Sequence, residues 1–152
     1  MNIRRFFTKP KPKTFKEVQS FLSNIPYINC GGCGIAALAM FDAAVKEGYK
    51  PRIHYLYHHF CDDTTQKTNE KYKRKEIDQA ASCGHIILKI KGQFQDSKGE
   101  FEIDYPWSDG GSVSREHLVN SLIHGGWNEC FDREQWLPKI EKYIGYKLLG
   151  AK

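Results

Sequence analysis

The chain has no apolar run near the roughly 20 residues that a membrane-spanning helix needs, so no membrane contact is expected. Met1-Asn2-Ile3-Arg4-Arg5 is followed by no apolar core segment, so a secretory signal is not expected either. No glycine-rich loop follows a strand-like segment, which argues against a nucleotide phosphate site. Internal repeats are missing. Acid is missing from residues 1–13, where Arg4, Arg5, Lys9, Lys11 and Lys13 equal the whole net charge of +5. The remaining chain is balanced, so a nucleic-acid-binding face is not indicated. The basic stretch, with Lys9-Pro10-Lys11-Pro12-Lys13, reads as a flexible extended arm open to an acidic partner, and residues 14–152 as one domain.

Five cysteines are present: Cys30, Cys33, Cys61, Cys83 and Cys130. An odd count with no leader predicts reduced thiols and a cytoplasmic setting. Thr14 caps a helix reaching about Asn24, with Phe15, Val18, Phe21 and Leu22 on one face. Cys33–Glu47 is apolar nearly all round, which predicts a buried central helix ending at Gly48. Arg52–His58 alternates like a strand, and residues 62–76 read as a polar loop ahead of a short helix over 75–82. His85–Lys91, Gln93–Asp96 and Phe101–Tyr105 predict an antiparallel meander turned at Gly92 and at Lys98-Gly99. Asp109-Gly110-Gly111 reads as loop. Ser114 and Asp132 cap two closing helices. The order predicts an α+β fold.

Cys33 stands at the predicted start of the central helix. Unpaired N–H groups and partial positive charge there favour a thiolate and supply donors for an oxyanion. Gly31, Gly32 and Gly34 let the backbone approach a substrate closely, since no Cβ intrudes. His85 opens the clearest strand and is the candidate base. Asp96 ends the strand that pairs back on it, so its carboxylate can reach the second imidazole nitrogen. His54, His58 and His59 read as exposed or packing residues. Trp107, Trp127 and Trp136 read as core or groove anchors.

Cys30-Gly31-Gly32-Cys33 resembles the papain-type Cys-Gly-Ser/Ala-Cys element, whose second cysteine is the nucleophile. Cys33-Gly34-Ile35-Ala36-Ala37-Leu38-Ala39-Met40 is similar to the helix that opens bacteriocin-leader-processing peptidases. Gly84-His85-Ile86-Ile87-Leu88 resembles the histidine strand of that group, and of compact transglutaminase-like and cell-wall amidase relatives. The resemblance covers about residues 27–104. It implies a papain-like fold, with the nucleophile helix packed on a small antiparallel sheet. It also implies a cysteine peptidase or amidase acting on a peptide, amide or isopeptide bond in a protein or peptide substrate, with no cofactor. Catalysis would fall to Cys33, His85 and Asp96. Asp104, in Asp104-Tyr105-Pro106, resembles the family's Asp-Pro and is the alternative third member. The family's oxyanion glutamine has no counterpart, since Tyr27 stands there; Asn29 is the candidate substitute. The segments 60–76 and 109–112 would border the cleft. Size, arm and absent leader fit a phage or bacterial accessory protein.

Three other readings stay open. One is a binding or structural protein that keeps the fold without catalysis. Another is a thioredoxin-like redox pair at Cys30 and Cys33, which needs a low-pKa leading thiol. The third is a zinc site joining that pair to Cys61 and His58 or His59, although the spacing is irregular.

Overall fold

Thr14 carries the capping box foreseen for it. Its side chain accepts from the Glu17 N–H, and Glu17 reaches back to the Thr14 N–H, starting helix α1 (Phe15–Ser23). The computed structural model describes residues 11–58, 84–124 and 130–150. The expected loop and helix over 60–82, Cys61, Cys83, His59, Trp127 and residues 1–10 of the basic arm lie outside them. The arm is expected to run to Lys13. There the Lys13 ammonium stands 4.7 Å from the centre of the Tyr143 ring.

Helix α2 (Cys33–Lys46) follows a turn through Ile25–Gly31. It is buried almost throughout, from Cys33 to Met40 and again at Ala43 and Ala44. Leu38 and Ile35 are fully enclosed, and each such side chain contributes about 1.5–3 kcal/mol on burial. Gly48 then leaves the helix at φ +91°, the left-handed exit that suits glycine.

The sheet has the order β4-β3-β2-β1-β5 and is antiparallel throughout. Its strands are β1 (Arg52–His58), β2 (Gly84–Ile90), β3 (Gln93–Asp96), β4 (Gly99–Glu100) and β5 (Trp107–Val113). Ile53, Tyr55, Ile86, Leu88 and Ile90 join α1 and α2 in the main core. Strand alternation therefore turns His54, Leu56, His85 and Ile87 to the opposite face. Helices α3 (Arg115–His124) and α4 (Arg133–Ile144) close the described chain, with Asp132 capping α4 as expected.

Two expectations need correction. The third meander strand, expected over Phe101–Tyr105, is reduced to the two residues of β4, Gly99–Glu100. Phe101 still donates its N–H to the Phe94 carbonyl, after which pairing stops. The expected loop at Asp109–Gly111 lies inside β5, the far edge strand, where the register against β1 shifts between His54 and Leu56. Gly111, at φ +106°, accommodates that irregular edge. The α+β class holds: among the described residues there are four helices and one five-stranded sheet. No helix there is long and apolar enough to cross a membrane.

Candidate active site

The turn before α2 determines where the thiol sits. Gly31 adopts φ +99°, a conformation that favours glycine. A Cβ on Gly32 would stand 2.7 Å from the Ile28 carbonyl oxygen and 2.9 Å from the Phe131 ring. The direction a Gly32 side chain would take is thus filled by the protein itself. Gly32 is the N-cap and offers no side chain to the first-turn N–H groups. Those donors are thereby left for the sulfur and for whatever binds beside it.

Cys33 is 5% exposed. Its Sγ is hydrogen-bonded to His85 and to the N–H groups of Ile86 and Gly34. The topology explains the Ile86 contact. Strand β3 pairs with β2 only over Leu88–Ile90, so Ile86 lies past its end and its N–H turns to the sulfur. Burial alone would raise the thiol's pKa. The His85 hydrogen bond, the imidazolium charge and the two backbone N–H groups outweigh it, so Cys33 lies below the ordinary thiol value.

His85 is also 5% exposed. Its Nε2 lies 3.2 Å from Asp96 Oδ2, leaving Nδ1 for Cys33. Burial would favour neutral imidazole, but the hydrogen bonds to Asp96 and Cys33 carry the His85 pKa up to about 9. Phe101 and Trp107 pack on the ring at centroid distances of 5.4 and 5.8 Å. They keep water from the His85–Asp96 bond, which lowers the local dielectric and strengthens it. Asp96 Oδ1 accepts from the Lys98 N–H at 2.8 Å, fixing the carboxylate at the tip of the β3–β4 hairpin.

The structure thus brings Cys33, His85 and Asp96 together, with the Gly34 N–H beside the sulfur. Asp104 is exposed, and its described hydrogen bond is through its carbonyl, to the Trp107 N–H. Asn29 Oδ1 accepts from Ser97 Oγ at 3.2 Å, tying the turn before α2 to the β3–β4 hairpin. Tyr27 is 67% exposed, with φ +59°.

Cys30 behaves oppositely to Cys33. A hydrogen bond with the Cys130 thiol, burial and nearby thiolate charge push it up to about 11. A redox pair led by Cys30 would need the reverse. Among the described residues, no group of three or more His, Cys, Asp or Glu is placed to hold a metal ion.

Sequence reasoning missed two polar arrangements. Gln19, on the apolar face of α1, is 6% exposed. Its Nε2 donates to Gln95 Oε1 at 3.0 Å and to the Asp96 carbonyl at 2.8 Å. The available signal was a glutamine at core spacing, four residues after Phe15 and three before Leu22. His54, expected to be exposed or packing, is buried, with Nδ1 at 3.0 and 3.2 Å from the two Asp109 oxygens. Its ring meets Phe94 edge-on. Comparison of the chain with family models, with curated proteins and with solved structures finds no match.

Proposed function

We propose that this chain is a cysteine-dependent hydrolase or acyl transferase of papain-like type, acting on a peptide, amide or isopeptide bond. The observation that carries the reading is one imidazole, 5% exposed, with its Nε2 3.2 Å from a buried carboxylate and a helix-terminal thiol interacting with the same ring. Buried side chains of these three types seldom meet without chemical reason, and this set matches what thiol acylation requires.

In this reading the proton starts on His85 and the negative charge on Cys33. The sulfur attacks the carbonyl carbon, and the oxygen gains charge beside the first-turn N–H groups of α2. His85 then gives its proton to the leaving amine as the C–N bond breaks, leaving a thioester on Cys33. Water or an acceptor amine next loses a proton to His85 and attacks the thioester. Collapse releases the acyl product and restores the thiolate–imidazolium pair. Asp96 holds the ring in the tautomer that puts the mobile proton on the Cys33 side.

A second reading has its own observation. Cys33 is nearly enclosed, and an exposed tyrosine, Tyr27, stands where the family's oxyanion glutamine is expected. Both fit a binding or structural protein that keeps the arrangement without turnover. An activated ester separates the two. Incubation with p-nitrophenyl acetate is expected to acetylate Cys33, detected by peptide mass spectrometry, and then to release acetate. His85→Ala is expected to slow acylation by about 100-fold or more, the scale of general acid–base assistance. Equal acetylation of Cys30, Cys33 and Cys130 would favour the non-catalytic reading.

A further inference from the structure

Asp96 would be of little use to His85 if the end of β3 were free to move. Asp96 and Gln95 are the last ladder residues before a tight turn, and β4 beyond them is two residues long. Such a short hairpin end has little pairing of its own to hold it.

Gln19 reaches this end from α1. Both of its amide hydrogens are used there, one on Gln95 Oε1 and one on the Asp96 carbonyl. All three residues are buried: Gln19 at 6%, Gln95 at 8% and Asp96 at 9% exposure. Only a side chain with two N–H donors on one nitrogen satisfies both acceptors. A residue of equal size without them leaves two buried oxygens unpaired. The same helix takes a second hold on the turn, where Lys98 Nζ donates to the Ser23 carbonyl. Helix α1 therefore grips the hairpin from both sides of the carboxylate.

We propose that Gln19 is a positioning residue for the Cys33–His85–Asp96 set, fixing the β3 terminus so that the Asp96 carboxylate stays on His85 Nε2. The role rests on the catalytic reading given above. It differs from a packing role in a measurable way. Packing affects how stable the protein is, whereas positioning affects how readily the thiolate forms.

The test is the rate of Cys33 alkylation by iodoacetamide in the full chain from pH 5 to 9, with the cysteine identified by peptide mass spectrometry. Gln19→Met is compared with Val18→Ala, a buried apolar change on the same helix. Gln19→Glu, which keeps the size and polarity of the site, serves if Gln19→Met does not fold. The Gln19 variants are expected to move the alkylation midpoint up by about one pH unit, roughly tenfold slower at pH 6. Val18→Ala is expected to lower thermal stability without moving the midpoint. A wild-type midpoint in the Gln19 variants, or an equal shift in Val18→Ala, overturns the positioning role and leaves the catalytic reading intact. A midpoint in the ordinary thiol range for the wild-type protein overturns both.

Discussion

Asp96 divides its carboxylate between two partners, Oδ2 to the His85 ring and Oδ1 to the Lys98 N–H. Replacing it by asparagine leaves an acceptor for Lys98 but takes away the negative charge beside the imidazolium. Asp96→Asn is therefore expected to slow alkylation of Cys33 at pH 6 by about tenfold or more, the effect of one pK unit. Asp104→Asn is expected to leave it unchanged, because that side chain is exposed. Measuring both rates separates the two candidates. Cys33, His85 and Asp96 were legible in the sequence because each sits at a boundary that local pattern marks: a helix start, a strand start and a hairpin strand end. The His85–Asp96 pair spans only 11 residues. Gln19 and Gln95 are 76 residues apart, and His54 and Asp109 are 55 apart. No local pattern links partners at such distances. The Asn29–Ser97 contact is illegible for the same reason: the two residues are 68 apart in the chain.

Helix α2 works as a platform because the turn before it is closed by its own packing. At Gly32 any side chain meets backbone at Ile28 and a buried ring at Phe131. Gly32→Ala is expected to cost about 1–3 kcal/mol in urea unfolding. It should also slow Cys33 labelling, since relief of the clash moves the helix start away from Ile86. Labelling at the wild-type rate in a destabilised Gly32→Ala protein would show that the thiolate does not depend on that turn. The helices and the first strands follow their sequence patterns closely. β5 does not, since Trp107–Val113 carries Asp109-Gly110-Gly111 and lacks alternation. Tertiary pairing makes it a strand: β1 offers a free edge, and Asp109 closes on His54 while its Oδ1 accepts from the Gly111 N–H at 2.8 Å. The Phe101–Tyr105 segment has the opposite history. Its composition suits a strand, but pairing past Glu100 stops, and Phe101 turns to His85 instead.

For the molecule as a whole, a thiolate–imidazolium pair, as the proposed function requires, would link stability to pH. The His85 pKa is raised from about 6.5 in the unfolded chain to about 9. Its contribution is complete below about 6.5 and is lost as pH rises through about 9. The Cys33 pKa is lowered, so its contribution is complete above the ordinary thiol value and is lost as pH falls through the folded one. Both shifts arise from one pair, which exists only where both groups are charged. The stability difference between wild type and Cys33→Ala is therefore expected to peak between about pH 6.5 and 9. It should shrink at pH 5 and at pH 10; urea unfolding at the three values checks it, and a pH-independent difference would contradict the pair. The most direct test of that pair is alkylation of Cys33 by iodoacetamide at pH 6 in the wild-type protein and in His85→Ala. Fast, Cys33-selective labelling that falls at least about tenfold in the variant, one pK unit or more, is the result predicted. Slow labelling of Cys33 in both proteins, no faster than that of Cys130, would contradict it.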